Sequence, residues 1–340
     1  MALSCSAAKK VTEPYDDWYL KSVGEWQELA RIVRPAFPED FSTRKVDLHL
    51  GMDMSSAPLV SIALPAYNAE KTLYRAIRSL QQQTLEDWEL ILIDDGSTDG
   101  TVSIAEGFND SRVVIIREHT RKGLATRLNQ ALNVARGEFL ARLDADDIAF
   151  PERLQSQIDF LQSHREVDLV GTGAVIFMED GYAAGLFPVR ITHEEICRRP
   201  RSGFYLAHPT WMGRTAWFRK YRYREDMHKA QDQDLLLRSY RTSIFACLPE
   251  ALTGYAQERL SLRKTLVSRY YFSQALIRDA WNNRRFFSGL LALAEQITKG
   301  AFDAFAILSG LERIILRHRA LPIHETEMAR WKRCWSACTT

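Results

Sequence analysis

The apolar and polar positions between residues 59 and 177 follow two alternating periods. Short apolar runs rich in β-branched residues are typical of strands, and five occur in order: LVSIAL, WELILI, RVVII, EFLARL and VDLVGTGAVIF. The segments between them carry apolar residues at helical spacing, as in EKTLYRAIRSLQQ and GLATRLNQALNVA. Strands that are apolar throughout and alternate with helices predict a mostly parallel sheet flanked by helices, which is an α/β fold.

This pattern divides the chain into three parts. Residues 1–57 are polar, with scattered aromatic residues and prolines, and we expect an N-terminal extension with a helix within residues 16–33. Residues 58–260 contain the alternating pattern, which fades after residue 177, and form the predicted α/β domain. Residues 261–340 show helical spacing without further strands and predict a helical C-terminal region.

The C-terminal region contains a long amphipathic segment. Apolar residues recur at helical spacing between residues 284 and 319, arginines flank the segment, and Trp331 and Trp335 follow it. A helix that lies on an anionic membrane surface has this character, with an apolar face, basic ends and aromatic anchors. The alternative is a helical subdomain that packs on the α/β domain, and the two interpretations are compatible.

Composition and charge narrow the class of protein. The 340 residues are 46% hydrophobic and 26% charged with a net charge of +2, which is ordinary for a globular protein and gives no reason to expect a nucleic-acid partner. The five cysteines lack metal-site spacing and predict reduced thiols. Because no signal peptide or apolar run of ~18 residues is present, we expect a cytoplasmic protein, with a peripheral place on the inner face of the plasma membrane as an option.

Three of the predicted strands end at the edge where a parallel sheet binds ligands. The residues that follow them are PAYN (65–68), DDGS (94–97) and DADD (144–147), and the last two segments are acidic. The three carboxylates of DADD cannot all be buried and ionised without a counter-charge, and Mg²⁺ or Mn²⁺ bound between carboxylates and a substrate diphosphate would supply it. A solvated acidic turn is the alternative.

The stretch IDDGSTDGTVSIAE also matches a calcium loop, because Asp95, Ser97, Asp99, Gly100 and Glu106 fall at its ligand and turn positions. A calcium loop of that type follows a helix, whereas the run before this one predicts a strand. We therefore interpret the stretch as a strand end that offers a carboxylate to a nucleotide base or a ribose hydroxyl. The tyrosine of PAYN is suited to stack on that base or to pack against its neighbours.

Three segments taken together, VSIALPAYNAEKTL, ELILIDDGSTDGT and GLATRLNQALNVARGEFLARLDADD, resemble glycosyltransferase family 2 over about residues 59–260. The resemblance implies a GT-A fold, with a Rossmann-like mostly parallel sheet, that binds a nucleotide-sugar donor and inverts the anomeric carbon. The family positions on the nucleotide side are matched by Pro65, Tyr67, Glu70, Asp94, Asp95 and Arg127. The family's DXD region, in which one carboxylate contacts ribose and one contacts the metal, is matched by Asp144, Asp146 and Asp147. We assign Asp146 to ribose and Asp147 to metal, with Asp144 in support. The sequence leaves this division open, so Asp146 also stands as a metal ligand and Asp144 as a residue of the donor side.

An inverting transfer also needs a carboxylate that takes the proton of the acceptor hydroxyl. In the family this base belongs to an acidic pair at a helix start, and the matching stretch KAQDQDLLLR has Gln231 and Asp232 there. The resemblance implies Asp232 as the base, with Asp234 as its competitor. We place His208, in AHPTW, on the acceptor side with Gln231. It would either contact a phosphate or be a structural residue with its hydrogen bonds satisfied inside the protein.

The sequence thus predicts a metal-dependent hexosyltransferase that uses a UDP-sugar and a glycan or lipid-linked acceptor in bacterial surface polysaccharide synthesis. One alternative is a nucleotidyltransferase, although PAYNAEK lacks the glycine-rich basic loop that cradles a triphosphate. Others are a calcium- or nucleotide-binding protein without catalysis and an inactive relative, which Gln231 keeps open.

Overall fold

The computed structural model describes residues 57–257, 261–311 and 320–339, so the predicted N-terminal extension and its helix lie outside the described residues. The described strands are β1 (Val60–Ala66), β2 (Trp88–Asp94), β3 (Val113–Arg117), β4 (Phe139–Arg142), β5 (Ile148–Ala149), β6 (Leu169–Phe177), β7 (Ala183–Leu186), β8 (Met212–Arg214) and β9 (Phe245–Ala256). The described helices are α1 (Leu73–Gln81), α2 (Thr101–Glu106), α3 (Leu124–Val134), α4 (Arg153–Ser163), α5 (His193–Ile196), α6 (Thr215–Tyr221), α7 (Gln231–Ser239), α8 (Leu262–Asn282), α9 (Phe286–Leu308) and α10 (Glu325–Thr339).

These strands form one sheet in the order β3-β2-β1-β4-β8-β6-β9-β5, with β7 paired to β6. The first four strands in this order are parallel, as the sequence predicts. The second half is mixed, because β8 runs antiparallel to both β4 and β6, whereas β6 and β9 are parallel. The predicted α/β fold with a mostly parallel sheet is therefore confirmed in β1–β4 and in the β6–β9 pair, and the antiparallel strands β5, β7 and β8 add a mixed part to the sheet.

Helices cover both faces of the sheet because alternate residues of each strand point to opposite sides. In β1, Ile62 and Leu64 belong to the core under α1 and α4, whereas Ala63 faces the core under α3 and α7. All seven residues of β2 are buried. This burial on both faces explains why the central strands read as continuous apolar runs.

The sequence pattern did not predict strand β9, which pairs with β6 on one side and with β5 on the other. It bends at Pro249 and Glu250, where its register with β6 shifts, and its last residues pair with β5. Its C-terminal end brings Tyr255 and Ala256 beside the DADD segment, since Ala256 N donates to Asp147 Oδ1 at 2.7 Å.

Three helices form the described part of the C-terminal region. Helices α8 and α9 pack side by side, and α10 returns to the sheet and packs against α1. Trp331 is buried between Phe150 and Phe177, and its Nε1 donates to Gly181 O at 2.8 Å. Trp335 stacks obliquely on Trp331. The expectation of a membrane anchor is therefore wrong for Trp331, which is buried, whereas Trp335 packs against it and is partly exposed.

No helix among residues 57–257, 261–311 and 320–339 combines the length and the hydropathy needed to cross a membrane.

Candidate active site

Hydrogen bonds join the loops that follow β1 and β2 into one platform. Asn68 N donates to Ser97 Oγ, and Asn68 Oδ1 accepts from Thr98 N, both at 2.9 Å. Gly100 N donates to a carboxylate oxygen of Glu70 at 2.9 Å. Glu70, which the sequence assigns to the nucleotide side, thus holds the second loop in place. The platform presents the ring of Tyr67, over which the Arg121 guanidinium lies 3.9 Å from the centroid.

Asp94 and Asp95 are both buried at the end of β2. The Asp94 carboxylate accepts from Ser97 N at 3.2 Å. Asp95 accepts from Lys122 N and Gly123 N at 2.8 Å and from Arg127 Nε at 2.7 Å. Asp95 therefore anchors the turn before α3, and a nucleotide would meet a carboxylate whose position is already fixed.

The DADD segment forms a compact acidic cluster. The carboxylates of Asp144, Asp146 and Asp147 offer oxygen atoms that lie within 4.8 Å of one another. Asp147 is buried, and its Oδ2 has no hydrogen-bond partner. Burial, and then the negative charges of Asp146 and Asp144, raise the pKa of the Asp147 carboxyl well above its ordinary value. A buried oxygen without a partner beside two further carboxylates fits a divalent cation.

Three arginines surround this cluster, and the sequence analysis did not identify them. Arg142 is buried at the end of β4 and pairs with Asp144, while two of its guanidinium nitrogens have no partner. Arg153 is buried below, donates to Arg142 O and has a pKa lowered to about 10 by burial. Burial lowers the pKa of the Arg75 guanidinium, on α1, and the negative charges of Asp146, Glu179 and Asp147 oppose that shift. Three guanidinium groups therefore accompany the three carboxylates and offset their negative charge.

The start of α7 carries the predicted base. Ala230 precedes the helix with φ of 55°, a strained conformation for a residue with a side chain, and strain of this kind is common at functional sites. Asp232 is half-buried and accepts from Gln233 Nε2 at 3.2 Å. Gln231 is buried with its Oε1 unpaired.

Asp234 differs sharply from Asp232. It is 1% exposed and forms ion pairs with Arg224 and Arg238 at 2.9 and 2.8 Å. Asp234 has a structural role, because both of its carboxylate oxygens are paired with arginines and the side chain is buried. This arrangement favours Asp232 over its competitor.

His208 lies in the 3₁₀ turn His208–Thr210 and is buried. Its Nε2 is 2.8 Å from the hydroxyl of Tyr223, and its ring meets Trp211 edge to face. Burial, and then the charge of Arg142, hold the pKa of His208 well below its ordinary value, so the imidazole is neutral.

The end of β9 links the acidic cluster to the start of α7, and we call this region the shared cleft. Ala256 N donates to Asp147 Oδ1 at 2.7 Å, and the neighbouring Tyr255 meets the ring of Phe187 edge to face. Phe187 lines the same cavity as Ala230 and Gln233, which lie on either side of Gln231 and Asp232 in the sequence.

Comparison with known proteins identifies the chain. Residues 61–222 match the model of Glycosyl transferase family 2. EpsE of Bacillus subtilis (strain 168) is 38% identical over 193 residues, which are 55% of this chain and 68% of EpsE. This chain belongs to glycosyltransferase family 2.

Among further relatives of this glycosyltransferase is an Escherichia coli protein described as UDP-Glc:alpha-D-GlcNAc-diphosphoundecaprenol beta-1,3-glucosyltransferase WfgD. It is 35% identical over 140 residues, which are 41% of this chain and 55% of WfgD.

Two solved structures support the fold of this family 2 enzyme. TarS of S. aureus in complex with UDP-GlcNAc superimposes with a TM-score of 0.56 at 19% identity, over 82% of this chain and 80% of TarS. The mannosyltransferase PcManGT from Pyrobaculum calidifontis, in complex with GDP-Man and Mn²⁺, has a TM-score of 0.51 at 17% identity and covers 94% and 96% of the two chains. The GT-A fold that the sequence predicts is thereby confirmed.

The residues predicted for the nucleotide side lie at or after the ends of β1 and β2, except Arg127 on α3, and they differ in how they are held. Pro65 is the penultimate residue of β1, and Asp95 and Arg127 are paired with each other. The calcium alternative loses support, because Asp95 binds Arg127 and Glu106 pairs with Arg117. The carboxylate group that the described residues bring together is instead Asp144, Asp146 and Asp147.

Proposed function

We propose that this glycosyltransferase transfers a hexose from a UDP-sugar to a lipid-linked saccharide in bacterial surface polysaccharide synthesis, with inversion. The observation that carries the proposal is the cluster of Asp144, Asp146 and Asp147 with its unpaired buried oxygen, which the end of β9 links to the start of α7. Support for the donor comes from WfgD, whose name specifies UDP-Glc, and from the TarS complex with UDP-GlcNAc. Support for the acceptor comes from the diphosphoundecaprenol in the name of WfgD.

Asp146 and Asp147 would hold a divalent cation, Mn²⁺ or Mg²⁺, with Asp144 in support. The unpaired Oδ2 of Asp147 and the mutual approach of the three carboxylates fit such an ion. When bound, the cation supplies charge neutralisation for the leaving diphosphate. The metal in the PcManGT complex is consistent with this proposal.

The chain's own residues would divide the remaining work. The platform of Tyr67, Asp94 and Asp95 would orient the base and ribose, and Arg75 would add positive charge beside the diphosphate. Asp232 would accept the proton of the acceptor hydroxyl as that oxygen attacks the anomeric carbon from the face opposite the diphosphate. Gln231 and the neutral His208 would shape the acceptor side.

We also propose that the enzyme works on an anionic membrane surface through α9. The large apolar residues exposed along this helix are Phe286, Phe287, Leu290, Leu291, Ile297, Phe302, Phe305 and Leu308. The other exposed positions between Phe286 and Leu308 carry alanine or threonine and no charge, whereas Arg284 and Arg285 are exposed just before the helix. An apolar face with a basic end is suited to anionic lipid, and exposed apolar surfaces of this extent are uncommon on monomers.

Donor binding and transfer test the proposed reaction. Thermal unfolding with Mn²⁺ and each of UDP-, GDP- and dTDP-sugars should show stabilisation by UDP-sugars alone. Transfer should follow when a saccharide linked to a lipid diphosphate is added. Stabilisation by GDP- or dTDP-sugars but not by UDP-sugars would overturn the donor assignment, and pyrophosphate release from a nucleoside triphosphate would favour the nucleotidyltransferase.

A further inference from the structure

A cavity of about 510 Å³ opens beside the proposed base. It lies between the loop at residues 202–205, the start of α7 and the facing sides of α8 and α9. Gln233 lines it and is also hydrogen-bonded to Asp232, so the cavity begins one residue from the proposed base. Phe187 also lines the cavity and meets Tyr255 edge to face, so the cavity reaches the end of β9.

A second cavity, of about 380 Å³, shares Ser202 with the first. Its walls come from the segment RRPR at residues 198–201, which follows α5, and from Glu295 on α9. Arg198, Arg199 and Arg201 are exposed. Glu295, the carboxylate that lines this cavity, is occupied by Lys299 at 2.8 Å and by Ser202.

The charge of this second cavity is therefore positive. Three guanidinium groups crowd one short loop, and the nearest carboxylate already has a lysine partner. The loop is also held firmly, since Gln296 Nε2 donates to Arg201 O at 2.8 Å and Ser202 N donates to Arg199 O at 2.8 Å. Guanidinium groups present paired N–H donors that match phosphate oxygens, and a fixed loop avoids the cost of ordering them on binding.

We propose that the two cavities are the acceptor site and that the arginines of residues 198–201 bind a diphosphate ester on the acceptor. This inference rests on the proposed function and deepens it. The saccharide end of the acceptor occupies the cavity beside Gln233, with its hydroxyl at Asp232. The diphosphate lies against Arg198, Arg199 and Arg201. The lipid extends from there toward α9. Gln296 of this helix lines the first cavity and Glu295 lines the second, and the exposed face of the helix is apolar.

The test compares two acceptors that carry the same saccharide. One is linked through a diphosphate to a short alkyl chain, and the other is a neutral alkyl glycoside. In the variant Arg198→Gln/Arg199→Gln/Arg201→Gln we expect the KM for the diphosphate-linked acceptor to rise at least tenfold, with no change in the KM for the neutral acceptor. A matched variant that removes three exposed positive charges elsewhere, Arg165→Gln/Lys332→Gln/Arg333→Gln, should behave like the parent.

A binding measurement makes the result independent of turnover. With UDP and Mn²⁺ saturating, so that the donor site is filled, titration calorimetry with the alkyl diphosphate alone should show binding that the triple Gln variant weakens at least tenfold. Equal binding by both proteins, or an equal loss with both acceptors, would overturn the inference. Inorganic phosphate that competes as well as the ester would assign the arginines to free phosphate instead. UDP-sugar binding by the parent tests the proposed function separately. If the parent does not bind a UDP-sugar, the proposed function is wrong, whereas binding of the alkyl diphosphate that depends on the three arginines still supports the arginine site.

Discussion

Arg127 Nε lies 2.7 Å from Asp95 Oδ1, and both side chains are buried. The pair ties the end of β2 to α3 across 32 residues of sequence. Because Asp95 also accepts two backbone N–H groups from Lys122 and Gly123, its carboxylate is positioned before any nucleotide binds. Arg127 therefore fixes the position of Asp95, which is its role in the donor site that we propose.

The first prediction concerns this ion pair. Replacing Arg127 with methionine leaves the buried Asp95 carboxylate with its two backbone N–H donors but without its positive partner, and we expect the free energy of unfolding to fall by about 3 kcal/mol. Urea unfolding measures the change. The double variant Arg127→Met/Asp95→Asn should recover a large part of the loss, because the remaining group is neutral. A single variant as stable as the parent would contradict the buried pair.

The second prediction separates metal binding from folding. In Asp147→Asn the side-chain oxygen can still accept the hydrogen bond from Ala256 N. The substitution removes a buried carboxylate charge beside Asp144 and Asp146. Without metal, we expect the free energy of unfolding to rise by about 1 kcal/mol. The parent should be stabilised by Mn²⁺ with UDP, whereas Asp147→Asn should show no such stabilisation. Asp159→Asn, on the exposed side of α4, is the control. Mn²⁺-dependent stabilisation of Asp147→Asn equal to that of the parent would remove Asp147 from the metal site.

The third prediction is a pH dependence from His208. Its pKa is held well below the ordinary value of 6.5 in the folded state, so the unfolded state binds more protons below about pH 6.5. Stability is therefore present above pH 6.5 and is lost as the pH falls, by at most about 1.4 kcal/mol per pH unit for one group. Urea unfolding between pH 7 and pH 5 should show this slope in the parent and a smaller one in His208→Gln. If the free energy of unfolding depends on pH equally in the parent and in His208→Gln, His208 binds its proton in the folded state and the prediction is wrong.

The fourth prediction tests the apolar face of α9. Phe302→Glu/Phe305→Glu changes two side chains that are 64% and 65% exposed, so folding should be unaffected. Vesicle flotation should recover the parent with phosphatidylglycerol vesicles and leave the variant in solution, because each charge opposes insertion into the lipid interface. Val134→Glu/Ile244→Glu, at exposed apolar positions elsewhere, should float like the parent. Loss of self-association in the variant, without any vesicle binding by the parent, would make this face a subunit interface.

The sequence predicts the first part of the fold because its strands are uninterrupted apolar runs of the right length. Strand β9 escaped prediction because Pro249 and Glu250 interrupt its apolar pattern, and β8 has only three residues. The tryptophans near the C-terminus looked like membrane anchors because their spacing is helical, but spacing does not tell which surface covers a helix face. The core residues of β6 and β9 cover Trp331.

The site residues were predictable where they follow strands and unpredictable where tertiary contacts decide their role. The DADD segment stands out because three carboxylates follow an apolar run. The contact of Asp147 with Ala256 spans 109 residues and leaves no local signal. Asp232 and Asp234 both lie in the first turn of α7, and local sequence does not show that packing turns Asp234 toward Arg224 and Arg238. Arg75 lies on the first helix, where a basic residue is ordinary.

The most direct test of the proposed mechanism is the turnover of Asp232→Asn with a UDP-sugar and a lipid-linked acceptor. Asparagine keeps the size of the side chain and cannot take the proton of the acceptor hydroxyl, so kcat should fall by a factor of about 10² to 10⁴. UDP-sugar affinity, measured with Mn²⁺ present, should stay within about twofold of the parent, because Asp232 lies on the acceptor side. A kcat within a factor of about three of the parent would contradict the assignment of Asp232 as the base.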